Sequence, residues 1–258
     1  MSYSSRFWLY APLLMFLALT GFVSLHWWNA AAALNHKLDA MKGREAIPGI
    51  VIDWRGKTLS GFPFNMDLVL EGLSVKGAGA HGPISWQSEK FATHALSYGR
   101  TQQVMEAAGQ QHLSWTDADG GTHDLSFLPG SLHASAVFAG LGLIRFDLDI
   151  VDTGGKSANS AFTARRVQLH VRRDPGKDAL DLVASADDVK TASGVIAKPR
   201  ITGTISPARP FDGLLKGEMA WPQASTDWHK QDGKTQLDKT DLTTAQSAAL
   251  EKLLSGFY

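Results

Sequence analysis

The chain has 258 residues, enough for one large or two small domains with a sizeable core. Its 25 basic and 25 acidic residues cancel, so it lacks the bulk positive field that draws proteins to nucleic acid. It contains no cysteine, which excludes disulfides, thiolate metal sites and cysteine nucleophiles but names no compartment.

The first element is residues 7–28, FWLYAPLLMFLALTGFVSLHWW, without a single Asp, Glu, Lys or Arg. At about 1.5 Å per residue this helix spans roughly 30 Å, the thickness of a hydrocarbon core. Trp8, Tyr10, Trp27 and Trp28 fall near its two ends, where amphipathic rings favour the headgroup region. Pro12 lies early enough for a first turn or a kink. Residues 1–28 therefore read as a single transmembrane anchor. A cleaved signal segment is the rival, because the alanines from Ala30 to Ala33 offer small residues for cleavage. Arg6 precedes the span and Lys37, Lys42 and Arg44 follow it, so charge alone leaves the orientation open.

Residues 29–48 read as a juxtamembrane helix, with Ile47-Pro48-Gly49 as its stop. From residue 49 to 258 the period changes to two. The runs IVIDW (50–54), NMDLVLEGLSV (65–75), RFDLDIV (145–151), RVQLHVR (166–172) and ITGTI (201–205) alternate or are β-branched. GKTLSG, TDADGGT, DTGGKSAN, RRDPGKD and SPARP between them carry turn chemistry. Short strands without interleaved long helices predict a mainly β fold, an antiparallel, curved sheet. Residues 127–143, apolar and glycine-rich, fit strand, helix or flap. At the far end Thr243 and Gln246 have capping-box spacing, and Leu250, Leu253, Leu254 and Phe257 recur at helical intervals, predicting a short C-terminal helix.

The stretch SGFPFNMDLVL is the most distinctive. Gly61 permits a sharp turn, while Pro63 fixes its own φ and pushes Phe62 toward an extended conformation. Phe64, Met66, Leu68 and Leu70 then share one face of a strand, which makes Gly61 to Leu70 the candidate hydrophobic-contact motif. The two phenylalanines are expected to close the end of the apolar layer against water. Together with the anchor, a strand ending in Trp54, and GPISWQSEKF (82–91), this stretch resembles the bacterial domain-of-unknown-function family 2125, itself similar to AsmA-type envelope proteins. The likeness extends to SAFTARRVQLHVRR (160–173) and to DWHKQDGKTQLDKTDL (227–242). It implies an exported, membrane-tethered β protein, amino terminus inside and body in the periplasm, and transfers no catalytic residue.

Reaction chemistry is sparse. Asp117, Asp119 and Gly120 resemble the start of a calcium loop, but Leu128 stands where the bidentate Glu belongs, so a hairpin turn is the plain account. His112, His123 and Asp124 flank that turn at no spacing that compels a metal. No nucleophile elbow, phosphate loop, dinucleotide fingerprint or His-Glu-x-x-His occurs. Arg166 and Arg172 lie on the outward row of the strand around Val167, Leu169 and Val171. They form a solvated face or contacts to anionic headgroups. The expectation is a non-catalytic inner-membrane protein without cofactor, partnered by membrane, lipid or an envelope protein and not by nucleic acid. An interaction scaffold with a closed core and a hydrolase with a scattered site are the alternatives.

Overall fold

The computed structural model describes residues 5–79, 81–96, 102–117, 119–139, 142–157, 160–174, 176–192, 194–240 and 243–244. Helix α1 runs unbroken over Ser5–Met41. It stops earlier than the sequence suggests. Gly43, at φ +67°, takes the left-handed position past the helix end and donates its N–H to Ile52 O, turning the chain into a hairpin. Strands β1 (Arg44–Ile47) and β2 (Ile50–Asp53) follow, and Ile47-Pro48-Gly49 makes the hairpin turn rather than the helix stop.

The remaining strands are β3 (Gly56–Ser60), β4 (Asn65–Ala78), β5 (Pro83–Leu96), β6 (Gln102–Thr116), β7 (Thr122–Ala139), β8 (Gly142–Ser157), β9 (Ser160–Asp174), β10 (Ala179–Asp187), β11 (Val189–Thr191), β12 (Gly194–Ile196), β13 (Arg200–Ser206) and β14 (Lys234–Thr240). They form one 14-stranded antiparallel sheet in the order β1-β2-β4-β5-β6-β7-β8-β9-β10-β13-β14, with β3 on β4 and the β11–β12 hairpin on β9. The expected mainly β, antiparallel, curved sheet is what the chain builds. GKTLSG is not a turn, because its backbone pairs with Asp67 to Glu71 and Leu59 packs into the core. DTGGKSAN is strand as far as Ser157; Gly155 is small because a Cβ there would strike the Phe162 ring. Residues 127–139 are strand, and so are Gly142 and Leu143. The helix expected from Thr243 lies outside the described residues, apart from its first two positions.

Two short helices that the alternation reading missed sit between β13 and β14. A 3-10 turn, Arg209–Phe211, leads into α2 (Asp212–Leu215), and α3 spans Trp221–Lys230 with Pro222 in its first turn. Trp221, Ala224 and Trp228, spaced i, i+3, i+7, were the legible signal. They pack with Phe211, Leu214, Met219 and Ile205 into one cluster.

The sheet carries a transverse crease. Ladder pairing runs Glu71–Lys90 then Leu73–Ser88, Ser131–Val151 then Pro129–Thr153, and Val151–Arg166 then Thr153–Ala164, stepping over Gly72 with Glu89, Gly130 with Asp152, and Asp152 with Arg165. Between β5 and β6 the register slips at Glu89 opposite Gly109 and Gln110. Left-handed residues mark the line: Gly72 at φ +59°, Gly109 at +75°, Asp152 at +49° and Asp188 at +52°. Bulges of this kind bend a sheet and strengthen its twist. The freed polar groups are met locally. Gln111, fully buried, donates Nε2 to the carbonyls of Ala108 and Gly109 and accepts from Trp86 Nε1, while Ser88 Oγ donates to Lys90 O.

Because Gly72 and Gly109 combine positive φ with a packed neighbour (a Cβ would strike Arg55 and Glu89 respectively), neither tolerates a side chain. Gly72→Ala and Gly109→Ala are each expected to cost at least about 1–2 kcal/mol from backbone strain alone. The check is the midpoint of denaturant unfolding of the full chain in detergent, compared with Gly120→Ala, where positive φ remains but nothing lies within 4 Å.

Candidate functional site

Every strand from β4 to β10 offers an apolar row to the same side. On β4 the row is Met66, Leu68 and Leu70, then, past Gly72, Leu73 and Val75. It continues across the ladder through Trp86 and Phe91, Leu113 and Trp115, Leu125 and Phe127. On the later strands it is Leu132 and Ala134, Phe146, Leu148 and Ile150, Val167, Leu169 and Val171, and Leu182 and Ala184. This inner face is covered at two places. At the early strands the far half of α1 lies on it, with Trp27, Ala31 and Leu38 buried and Leu34 packed beside them, and Leu38 joins Trp54, Leu68, Leu70 and Leu73 in one core cluster. Lys57 fixes the helix laterally, reaching Asp39 Oδ1 at 2.7 Å and Asn35 O at 3.3 Å. At the late strands α2 and α3 cover Ile205, and Arg173 ties β9 to Asp212.

The α2–α3 segment also reaches the first hairpin. An added Cβ at Gly49 would meet Ala220 Cβ at 3.0 Å, and one at Gly217 would meet Ile47 at 2.9 Å. Beneath this bridge lies an apolar cavity of about 350 Å³, walled by Gly77, Ile84, Trp86, Leu113, Trp115 and Trp221. Between the two covers the rows of β7 to β10 remain half-buried, from Leu132 through Phe146, Leu148, Val167, Leu169 and Leu182. The chain exposes 16024 Å², against about 11,000 Å² for a compact monomer of this mass. The projecting half of α1 and the unsealed face both add to it.

The Gly-Phe-Pro-Phe motif forms the turn into β4, with Gly61 at φ +95° and Asn65 N–H donating to Gly61 O at 2.8 Å. Its phenylalanines do not close the apolar layer. Phe62 is 52% and Phe64 59% exposed, because α1, not this turn, covers the early strands. Phe62 instead stands edge-on to Trp27 at 5.5 Å, and Trp27 Nε1 donates to Asn65 O at 2.8 Å. Trp27 is 6% exposed, and the apolar residues before it on α1, among them Leu13, Phe16, Leu19, Phe22 and Leu25, are open. Pro63 precedes the strand and so costs the ladder no donor. Below the turn, Asp67 pairs with His94 at 2.8 Å.

The outer face is a lattice of exposed ion pairs. Arg166 grips Asp149 through Nε and Nη2 at 2.7 and 2.9 Å, which holds the Asp149 carboxyl below the usual range and raises the guanidinium. Asp147 takes Arg145 at 2.7 Å and His170 at 2.8 Å. Arg172 is exposed on the same face, opposite Arg145 and Asp181 across the ladder. His112 and His123 lie on opposite faces. His112 bonds Ser126 Oγ, whereas His123 stacks on Trp115 and bonds Asp117 at 2.7 Å. Among the described residues no group of three or more His, Asp or Glu is arranged to hold a metal.

A family model described as an uncharacterized protein conserved in bacteria, DUF2125, matches residues 27–250. The chain belongs to the DUF2125 family. No curated protein and no solved structure shows significant similarity to it. The match begins at Trp27, where α1 first touches the sheet, so the docked half of the helix is family structure.

Trp27→Ala removes both the ring under Phe62 and the donor to Asn65, with an expected loss on the order of 3 kcal/mol. Trp27→Phe, which keeps a ring, loses about 1 kcal/mol. Both are read from denaturant unfolding of the full chain in detergent. At the β6–β7 turn, His123 and the Gly121 N–H hold the Asp117 carboxyl below its ordinary value. A depressed folded-state value stabilises above the unfolded one and fades as pH falls through the folded one. Protection factors of the Asp119 and Gly121 amides, corrected for the intrinsic exchange rate at each pH, are therefore expected to fall below about pH 4.

Proposed function

We propose that this DUF2125 chain is a single-pass protein of the bacterial inner membrane, its body in the periplasm, whose curved sheet holds lipid-like molecules against its apolar inner face and catalyses no reaction. One observation carries the reading. Helix α1 leaves an exposed apolar stretch long enough to cross a membrane and, without a break, lays Trp27, Ala31, Leu34 and Leu38 on the same face that carries the half-buried rows of β7 to β10. The apolar surface on offer to a bilayer and the apolar surface of the sheet are thus joined through one rigid element. An apolar face that the chain itself covers only in part needs a further partner. Each methylene of an acyl chain moved onto it from water gains about 0.8 kcal/mol, less the cost of ordering the chain.

A protein-interaction scaffold is the second reading. It draws on the bridge between α2–α3 and the first hairpin, which fills part of the concavity with Phe211, Trp221 and Trp228. Lipid content separates the two. Full-length protein extracted in detergent is examined by native mass spectrometry beside a Leu148→Asp/Leu169→Asp variant, which places carboxylates on the half-buried rows and leaves α1 intact. Annular lipid around α1 is then common to both samples. The lipid reading expects wild type to carry lipid that the variant lacks, with circular dichroism showing the sheet retained. Equal lipid in the two, with the sheet retained, favours the scaffold.

A further inference from the structure

The turn Gly61–Asn65 keeps exposed apolar surface despite its contacts with α1. Two large aromatic side chains, Phe62 and Phe64, stand open although apolar, while the same row becomes half-buried at Met66 and buried at Leu68 and Leu70. Exposure thus falls along β4 away from the turn. The turn sits beside Trp27, and Trp28, 64% exposed, stands edge-on to Trp27 at 5.6 Å. Three aromatic rings, Trp27, Trp28 and Phe62, therefore gather at one level of the helix, with Phe64 two residues further along the turn.

That level is set by length. From Tyr10 to Trp27 the helix rises roughly 26 Å, close to the thickness of a hydrocarbon core, so Trp27 and Trp28 fall at an interface when Tyr10 falls at the other. Amphipathic rings collect at that depth, and Trp27 is fixed to the turn by its bond to Asn65 O as well as by Phe62. Asp67, whose carboxylate lies against the turn at Gly61, is paired with His94 at 2.8 Å.

We propose that the Gly-Phe-Pro-Phe turn is a second membrane contact, seated in the interfacial region of the bilayer beside α1, with Phe62 and Phe64 among the headgroups and upper acyl chains. The occupant is the lipid bilayer itself, because the surface is continuous with the exposed apolar side of α1. The inference rests on the reading of α1 as a membrane span. It adds that the body does not swing on its tether. The start of β4 is held at the membrane, so the covered end of the inner face begins at the bilayer.

The absence of cysteine makes the test clean, since each substitution creates a unique labelling site. Full-length Phe16→Cys, Phe62→Cys, Phe64→Cys and Val195→Cys are spin-labelled and reconstituted into phosphatidylethanolamine–phosphatidylglycerol vesicles. Accessibility to oxygen and to a water-soluble nickel complex is then measured for each. Phe16 reports the span and Val195, exposed on β12, reports water. The proposal expects labels at 62 and 64 to have an oxygen-to-nickel ratio severalfold above that at 195 and below that at 16. Labels at 62 and 64 that match 195, with 16 in lipid, overturn the second contact and leave the span standing. A water-like label at 16 overturns the span and the contact with it. Since Phe62→Cys also loses the Trp27 contact, either label in lipid supports the second contact, and both labels in water refute it.

Discussion

A wide sheet with one apolar face, and too little helix among the described residues to make a second layer, is the constraint on which the rest depends. Helical cover comes from the far half of α1 and from the segment after β13, and each shields one side of the curl. Helix α1 is therefore part of the core as well as an apolar stretch that leaves it. Leu38 shares a cluster with Trp54, Leu68, Leu70 and Leu73, and burying side chains of that size contributes about 1.5–3 kcal/mol each. Since the helix is continuous from Ser5 to Met41, the orientation of its exposed half fixes that of the sheet. The two cannot be placed independently.

The crease makes such a sheet workable. Strands of 14 to 18 residues, left regular, would carry one alternation from end to end in a broad surface that twists only gently. Here the alternation changes phase partway along, from Leu70 to Leu73 on β4 and from Pro129 to Leu132 on β7. A one-residue change of phase on a single strand would send its remaining apolar residues to the wrong side. Because the changes on β4, β5, β7, β8 and β9 lie in one line, with the register slip at Gly109 and Gln110 making up the difference on β6, the inner face stays apolar on both sides of it. Gln111 and Ser88, two of the buried polar residues in the chain, sit on that line and satisfy carbonyls that the ladder releases.

Local periodicity explains what was legible in the sequence. The apolar span, the strands around Ile52, Leu68, Leu148, Leu169 and Ile201, the Asp-Gly-Gly hairpin and the family likeness all announce themselves within a dozen residues. What escaped depends on partners far along the chain. Gly56 to Ser60 has turn composition and becomes strand only because β4 lies beside it. Gly154 and Gly155 look like a turn, yet both pair across the ladder, and the smallness of Gly155 answers to the Phe162 ring. The role assigned to Phe62 and Phe64 failed for a similar reason. Alternation put Phe64 in register with Met66, Leu68 and Leu70, but it carried no sign that α1 would cover the early strands and leave Phe62 and Phe64 exposed. Trp27 was legible as an end-of-span ring and illegible as the donor to Asn65, 38 residues away.

The two faces of the sheet differ in what they leave unmet. On the outer face, charges are cancelled neighbour by neighbour: Arg166 by Asp149, Asp147 by Arg145 and His170, Arg165 by Asp187 and Asp188. Exposed pairs of this sort contribute about 0–1 kcal/mol each, so their weight lies in keeping the surface wettable without a net field. That local cancellation is consistent with 25 acidic against 25 basic residues over the whole chain. A headgroup seeking Arg166 would have to displace a bidentate carboxylate already in place. The unmet demand is on the inner side, where the surface is apolar and only partly covered. On the proposed reading, a ligand is then chosen by the length and shape of its hydrocarbon, and its headgroup is left to the water or to the membrane it came from.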